Sequence, residues 1–252
     1  MSYPGGKGRL YQHIINLIPP HRVYIESFLG GGAVMLHKRP ASINIGIDLS
    51  LDALKSFPTA SPSYLTMLST TSSDLAMFAA RASSGTTILH HGDAFSALHQ
   101  LAYLEMIDEA TFVYCDPPYP MSTRRSQRPL YEHEMSRGEH VDLLSLLNEL
   151  SLVHKCKIMI SSYQNDLYQM WLGKWRRASF DSWDRGGNWR EEVVWMNYEK
   201  PKELHDYSFL GCDFRERQRI NRKRSRWLKN FESMTRYERL AFVEQAKALG
   251  LI

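Results

Sequence analysis

Asp116-Pro117-Pro118-Tyr119, at the end of the apolar run Val113-Tyr114-Cys115, is the stretch of this chain best equipped for chemistry. An ionised aspartate only accepts hydrogen bonds. Each proline fixes its own φ and offers no N–H, so the Pro117 carbonyl becomes a second acceptor in a set place. Two acceptors beside the aromatic face of Tyr119 suit a planar amino group. Both N–H bonds would be held, and the nitrogen lone pair, otherwise delocalised into a ring, would be freed to attack an electrophilic carbon such as a methyl group. The tetrapeptide can also be read as a turn that closes a strand. Its position favours the site, because ligands of open α/β sheets gather at the carboxyl ends of strands.

The elements upstream supply the rest of such a site. Val23-Tyr24-Ile25-Glu26 reads as a strand, Ser27-Phe28-Leu29-Gly30-Gly31-Gly32 as a glycine turn, and Ala33-Val34-Met35-Leu36 as the start of a helix. The glycines let backbone approach a ligand, although the same loop would serve as a plain tight turn. Their spacing is not Gly-x-Gly-x-x-Gly, so a pyrophosphate is not the expected ligand. A strand Ile43 to Ile47 ends in Asp48, about twenty residues past the loop, where an acid grips ribose hydroxyls. Another, Thr86 to His90, runs into Gly92-Asp93. Singly, each acid can be solvated or cap a helix, and Asp93 can cap a helix from Ala94 to Leu101. Taken with Asp116, they read as one nucleoside-sized site.

With these motifs in place, the chain resembles the Dam-like (D12 class) family of DNA adenine-N6 methyltransferases over nearly its whole length. Tyr3-Pro4-Gly5-Gly6-Lys7 is similar to the family's amino-terminal motif, and the resemblance implies that Tyr3 and Lys7 contact the cofactor, S-adenosylmethionine. Gly8 after Lys7 excludes a Walker-type phosphate loop. Glu26, Phe28, Gly30 and Gly32 match the motif around the methionine part of the cofactor, Asp48 the ribose acid, Asp93 the acid near the cofactor's adenine, and Asp116 to Tyr119 the catalytic motif, with Asp116 also implied to bind the cofactor. Lys157 to Tyr163 resembles the family's fifth strand, and Gly186 to Tyr198 its closing hairpin. Ser27 stands where the family usually has proline, and Ser50 where asparagine often follows the ribose acid.

The resemblance implies a class I, Rossmann-like α/β fold, with a mostly parallel seven-stranded sheet, an antiparallel last strand and helices on both faces. It also implies a methyltransferase domain at residues 1–198. Composition agrees: 252 residues with 43% apolar content can bury a core without a second domain. Cys115, Cys156 and Cys212 show no paired spacing and read as structural thiols. His90-His91 and the remaining histidines give no metal-ligand spacing, so no metal is expected. No run approaches the roughly 18 apolar residues of a membrane span, and no apolar signal core opens the chain. A cytoplasmic protein is predicted.

Charge is uneven. Residues 199–252 carry a net +5 and the preceding ones −1. Arg222, Lys223, Arg224 and Arg226 lie in a basic run interleaved with Ile220, Trp227, Leu228 and Phe231, which predicts a helical extension packed on the catalytic domain with one face turned to phosphates. A solvated basic helix is the plainer reading. A second helix should open at the capping box Thr235 to Glu238 and close at Gly250. Arg124, Arg125 and Arg128, in the polar loop after the catalytic motif, are further candidates for contacting DNA around an extruded base. Only residues 49–92 separate Asp48 from Asp93, which leaves little chain to read bases. Relaxed or very short target recognition follows, in a phage-borne, orphan or restriction-modification enzyme. RNA adenine, cytosine N4 or a protein amide would share most of this chemistry, and a non-catalytic DNA-binding regulator would share the fold.

Overall fold

A computed structural model describes residues 10–58, 65–124, 132–183 and 189–251 of the chain. In chain order, the first half holds α1 (Tyr11–Ile15), β1 (Val23–Glu26), α2 (Ala33–His37), β2 (Ile43–Asp48), α3 (Leu51–Ser56), β3 (Leu65–Ser69), α4 (Ser72–Arg81), β4 (Thr86–His91) and α5 (Ala94–Tyr103). The second holds β5 (Thr111–Cys115), α6 (Arg137–Val153), β6 (Lys157–Tyr163), α7 (Asp166–Leu172), β7 (Arg176–Trp183), β8 (Trp189–Met196), α8 (Phe214–Ser233) and α9 (Arg236–Ala248).

β1 and β5 are buried along their whole lengths, as central strands of a sheet covered on both faces must be. Alternation sorts their side chains. Val23, Ile25, Ile45, Val113, Cys115, Ile158 and Trp195 join one core with residues of α4 to α7. Tyr24 and Phe112 stack on the opposite face, their ring centroids 6.0 Å apart. Ile14 and Ile15 of α1 and Val34 of α2 are buried outside the first core.

The strand order is β3-β4-β2-β1-β5-β6-β8-β7, and β8 alone runs against the others. From β1 the chain builds outward first through β2 and then through β5, so the direction of winding reverses between β1 and β5. That reversal opens a crevice at the carboxyl ends of the two strands. Seven strands are expected from the sequence; the structure has eight. The added one, β3, pairs in parallel with β4 at the edge of the sheet. Leu65 to Ser69 is too short a run for periodicity to separate from the neighbouring helices.

The chain forms two compact units, Met1–Asp206 and Tyr207–Ile252. The first continues past Tyr198, the expected boundary. Tyr198 donates to the Leu17 carbonyl (3.1 Å), the His205 N–H to the Ile18 carbonyl (2.9 Å), and the Arg39 N–H to Asp206 (2.7 Å). In the second unit α8 starts at an Asp213 cap. α9 opens at the Thr235–Glu238 capping box and ends in left-handed Gly250, with Leu251 N–H bonded to the Ala246 carbonyl. Among the described residues no helix is long and apolar enough to cross a membrane, and no cluster of His, Cys, Asp and Glu could hold a metal ion.

Candidate active site

The turn after β1 is built around one acid. Asp48, the last residue of β2, accepts from Gly30 N–H at 2.6 Å and from Ser50 N–H at 2.8 Å, which ties the glycine turn to the neighbouring strand end. Burial raises the pKa of Asp48, against those two bonds. Gly30 and Gly32 both have positive φ, and a Cβ on Gly32 would sit 2.5 Å from the Phe57 ring. No side chain fits there without strain. Ser50 also caps α3, accepting from Ala53 N–H.

Glu26 closes β1 at 3% exposure. Its Oε2 accepts from the Tyr24 hydroxyl (2.8 Å) and from Met35 N–H (3.0 Å). Burial drives its pKa up to about 8, with Asp116 adding to the rise and those two hydrogen bonds opposing it. Beneath it Lys38 lies 4.0 Å from the centre of the Tyr24 ring and donates to Asn44 Oδ1, and its own burial lowers its pKa to about 7. Asp93 caps α5, taking both Ser96 N–H and Ser96 Oγ on Oδ2.

These groups surround one cleft of about 1020 Å³ including its open mouth. Glu26, Phe28, Gly30, Gly32, Asp48, Asp93, Asp116 and Pro118 all line it, joined by Leu49, Phe95 and residues Glu132 to Met135. The size suits a nucleoside-type ligand. Pro117 and Tyr119 are buried beside the cleft and lie outside its lining. Asp116 Oδ1 accepts from Ser161 Oγ at 2.9 Å, and Ser161 Oγ in turn meets the Tyr114 hydroxyl at 3.0 Å.

The sequence model of one family, described as D12 class N6 adenine-specific DNA methyltransferase, matches residues 3–46 and 82–184, more than half of the chain. The chain belongs to that family. S-adenosylmethionine is its cofactor. No curated protein matches the sequence. Three solved structures share the outline of the fold. They are an S-adenosylmethionine-dependent methyltransferase from Agrobacterium tumefaciens (12% identity, TM-score 0.42), magnesium protoporphyrin IX methyltransferase from Synechocystis PCC 6803 (10%, 0.38) and an rRNA methylase from Streptococcus thermophilus (10%, 0.37). They cover 75%, 75% and 76% of this chain and 60%, 75% and 94% of their own.

In this methyltransferase Arg124 departs from the sequence expectation that it contacts DNA. It is buried, forked onto both oxygens of Glu134 at 2.7 Å, and it donates to the Tyr119 carbonyl. A guanidinium so placed is not offered to a phosphate; it clamps the chain after the catalytic motif to the wall of the cleft. Arg124→Met, which removes the charge that forks onto Glu134, is expected to cost about 2 to 4 kcal/mol in urea denaturation. An unchanged midpoint would show the clamp to be idle.

Tyr3 and Lys7, Arg125 and Arg128, and the hairpin tip at Gly186-Gly187-Asn188 lie outside the described residues. Arg222, Lys223, Arg224 and Arg226 are exposed on α8. Arg222 and Arg226 share a helical stripe with Arg215, Arg219 and Lys229, whereas Arg224 lines an apolar groove with Trp227 and Phe231. Cys115 and Cys156 are buried free thiols, both pushed up to about 12 by burial, and Cys212 is exposed.

The sequence reading assigns no role to Ser161, Glu134 or Glu192. The Tyr119 hydroxyl donates to Glu192 Oε1 at 2.6 Å, and Glu192 is 6% exposed. Glu192 follows another glutamate just before the apolar run Val193 to Met196, and strand alternation alone would have placed one of the two inward.

Proposed function

We propose that this protein is a DNA adenine-N6 methyltransferase acting on a flipped base, with the unit Met1–Asp206 as the catalytic domain and the unit Tyr207–Ile252 as a DNA-contacting extension. The observation that carries the reading is that Glu26 and Asp116, at the ends of adjacent strands β1 and β5, share one cleft with Asp48 and Asp93. The cleft fits the cofactor through its volume, the Gly30 to Gly32 turn on its wall and the acids Asp48 and Asp93 beside that turn. Asp48 would hold the ribose and Asp93 would sit near the cofactor's adenine. Phe28, Gly30, Gly32 and Glu26 would surround the methionine part, with Tyr3 and Lys7 completing the site.

The cofactor supplies an electrophilic methyl carried on a sulfonium. The protein's part is to present the amine. The Asp116 carboxylate and Pro117 carbonyl accept the two N6 hydrogens, so that the nitrogen lone pair points at the methyl carbon. The Ser161 hydroxyl fixes the direction of Asp116. Asp116 also stabilises the positive charge that grows on N6 as the new C–N bond forms and the C–S bond breaks; the surplus N6 proton then leaves to solvent. Positioning and electrostatics carry the rate, and no covalent enzyme intermediate is needed. Tyr119 is the stacking partner proposed for the base, which requires access to a ring that is 5% exposed here.

Tritium transfer from labelled S-adenosylmethionine to DNA, RNA and protein, assayed side by side, tests the reading. Label in DNA adenine supports it; label in RNA, in cytosine or in a protein amide replaces it, and no label with any substrate leaves a binding regulator. The short stretch between Asp48 and Asp93 is occupied by α3, β3, α4 and β4 around residues 59–64, which supports relaxed specificity. Modified adenines confined to one motif of four or more bases on a methylated plasmid would refute that part. Replacing Arg222 and Arg226 with alanine is expected to weaken DNA binding uniformly across sequences and to reduce the slope of log K against log salt by about 2, one for each phosphate left without its arginine. A slope equal to that of the wild type would remove α8 from the interface.

A further inference from the structure

We propose that Glu192 is a positioning residue for the methylation step: its carboxylate, acting through the Tyr119 hydroxyl, fixes the plane on which the target base stacks. The inference rests on the adenine reading above and extends it to a residue of the antiparallel strand.

Tyr119 is constrained at three points. Its hydroxyl donates to Glu192 Oε1 at 2.6 Å, the short distance of a hydrogen bond to a charged acceptor. Its ring meets the edge of Tyr163 with centroids 4.7 Å apart and planes at 72°. Its carbonyl is held by Arg124. The first two constraints come from facing positions of adjacent strands, because Glu192 on β8 is the register partner of Tyr163 on β6. Arg190, two residues back along β8 and hence on the same face, lies 5.6 Å from the centre of the Tyr163 ring. A single surface shared by β6 and β8 therefore carries the tyrosine of the catalytic motif.

The chemistry explains why an acid would stand there. Burying a carboxylate is costly unless it is hydrogen-bonded, and a phenylalanine at 119 against an apolar residue at 192 would fill the same space without that cost. What the acid adds is direction. A phenol free at its hydroxyl can tilt about its ring axis, whereas one bonded to a fixed carboxylate cannot. Burial, Asp116 and Glu192 all raise the pKa of Tyr119, so the hydroxyl remains protonated and remains the donor. The base stacks on this ring while its amine must also meet Asp116 and the methyl carbon, so a tilt of the stacking plane misplaces the attacking nitrogen.

The test is a double-mutant cycle of Glu192→Leu and Tyr119→Phe, with Glu192→Gln as the conservative variant. Single-turnover transfer to DNA and equilibrium binding of S-adenosylmethionine are measured for each. Glu192→Leu is expected to slow transfer on the order of 10- to 100-fold, the scale of a misplaced reactant, with cofactor binding unchanged. Glu192→Gln, which keeps an acceptor oxygen, should recover most of the rate. In the Tyr119→Phe background Glu192→Leu should cause no further loss. An equal loss in both backgrounds, or a wild-type rate for Glu192→Leu, overturns the proposal. A substrate-independent arm separates this from failure of the adenine reading. With tyrosine labelled at Cζ by carbon-13, the resonance that disappears in Tyr119→Phe should shift in Glu192→Leu and return towards its position in Glu192→Gln. If the wild type transfers no methyl to DNA, the functional reading falls while that resonance still decides whether Glu192 holds Tyr119; an unmoved resonance rules the hold out.

Discussion

Asp116→Ala is expected to lower methyl transfer by roughly 10²- to 10³-fold or more, the scale on which one preorganised electrostatic contact acts, while the fold persists. The structure explains why the damage should stay local. Asp116 follows β5, and its contact with Ser161 is one of several: Ser161 Oγ also meets the Tyr114 hydroxyl at 3.0 Å and the Cys115 carbonyl at 3.4 Å. Losing the carboxylate therefore strands no buried hydroxyl, and the cost in stability should be about 1 kcal/mol. Asp116→Asn keeps one acceptor oxygen but loses the charge, so it should retain more transfer than Asp116→Ala and less than the wild type. Full activity of the alanine variant, measured by tritium transfer under single-turnover conditions, would remove Asp116 from the chemistry.

Glu26→Gln is expected to stabilise the protein at pH 8 by a few kcal/mol and to leave it unchanged near pH 4. Glu26 titrates at about 8 in the fold, raised from 4.5. Burial of its neutral form is therefore free of penalty below the unfolded value. As pH rises through the window from about 4.5 to 8, the unfolded chain releases the proton while the folded one retains it, and stability falls by up to about 1.4 kcal/mol per unit. Lys38 has the opposite sign. Its folded pKa, about 7 against 10.5, makes stability rise with pH between those values. The wild type should thus be least stable near pH 7 to 8. Glutamine mimics the protonated acid, keeping an oxygen for the Tyr24 hydroxyl and Met35 N–H, so the falling limb should vanish. Urea denaturation between pH 4 and 9 reads the difference; one that does not change with pH would show that Glu26 is not held neutral.

Much of this arrangement is written in short local patterns. The glycine turn, the acids at strand ends and Asp-Pro-Pro-Tyr could each be located because a turn, a strand end and a proline pair leave residue-level marks. Glu26, Asp48, Asp93 and Asp116 do share a cleft, as their common sheet edge implies. The capping box at Thr235 and the glycine stop at Gly250 were equally plain, since both act within a few residues. What escaped depends on pairing across the chain. β3 is a strand only because β4 lies beside it. Arg124 looked like one of several loop cations until Glu134, ten residues on, took its charge. Glu192 meets Tyr119 across 73 residues of sequence, a partnership that no local period reveals.

The three thiols differ in a way that has practical use. Cys115 is sealed in β5 and Cys156 is buried just before β6, so a maleimide dye has Cys212 as its accessible target. That position immediately precedes the Asp213 cap of α8. A single fluorophore can therefore be installed on the natural chain, without cysteine engineering, next to the cationic helix whose encounter with nucleic acid it would report.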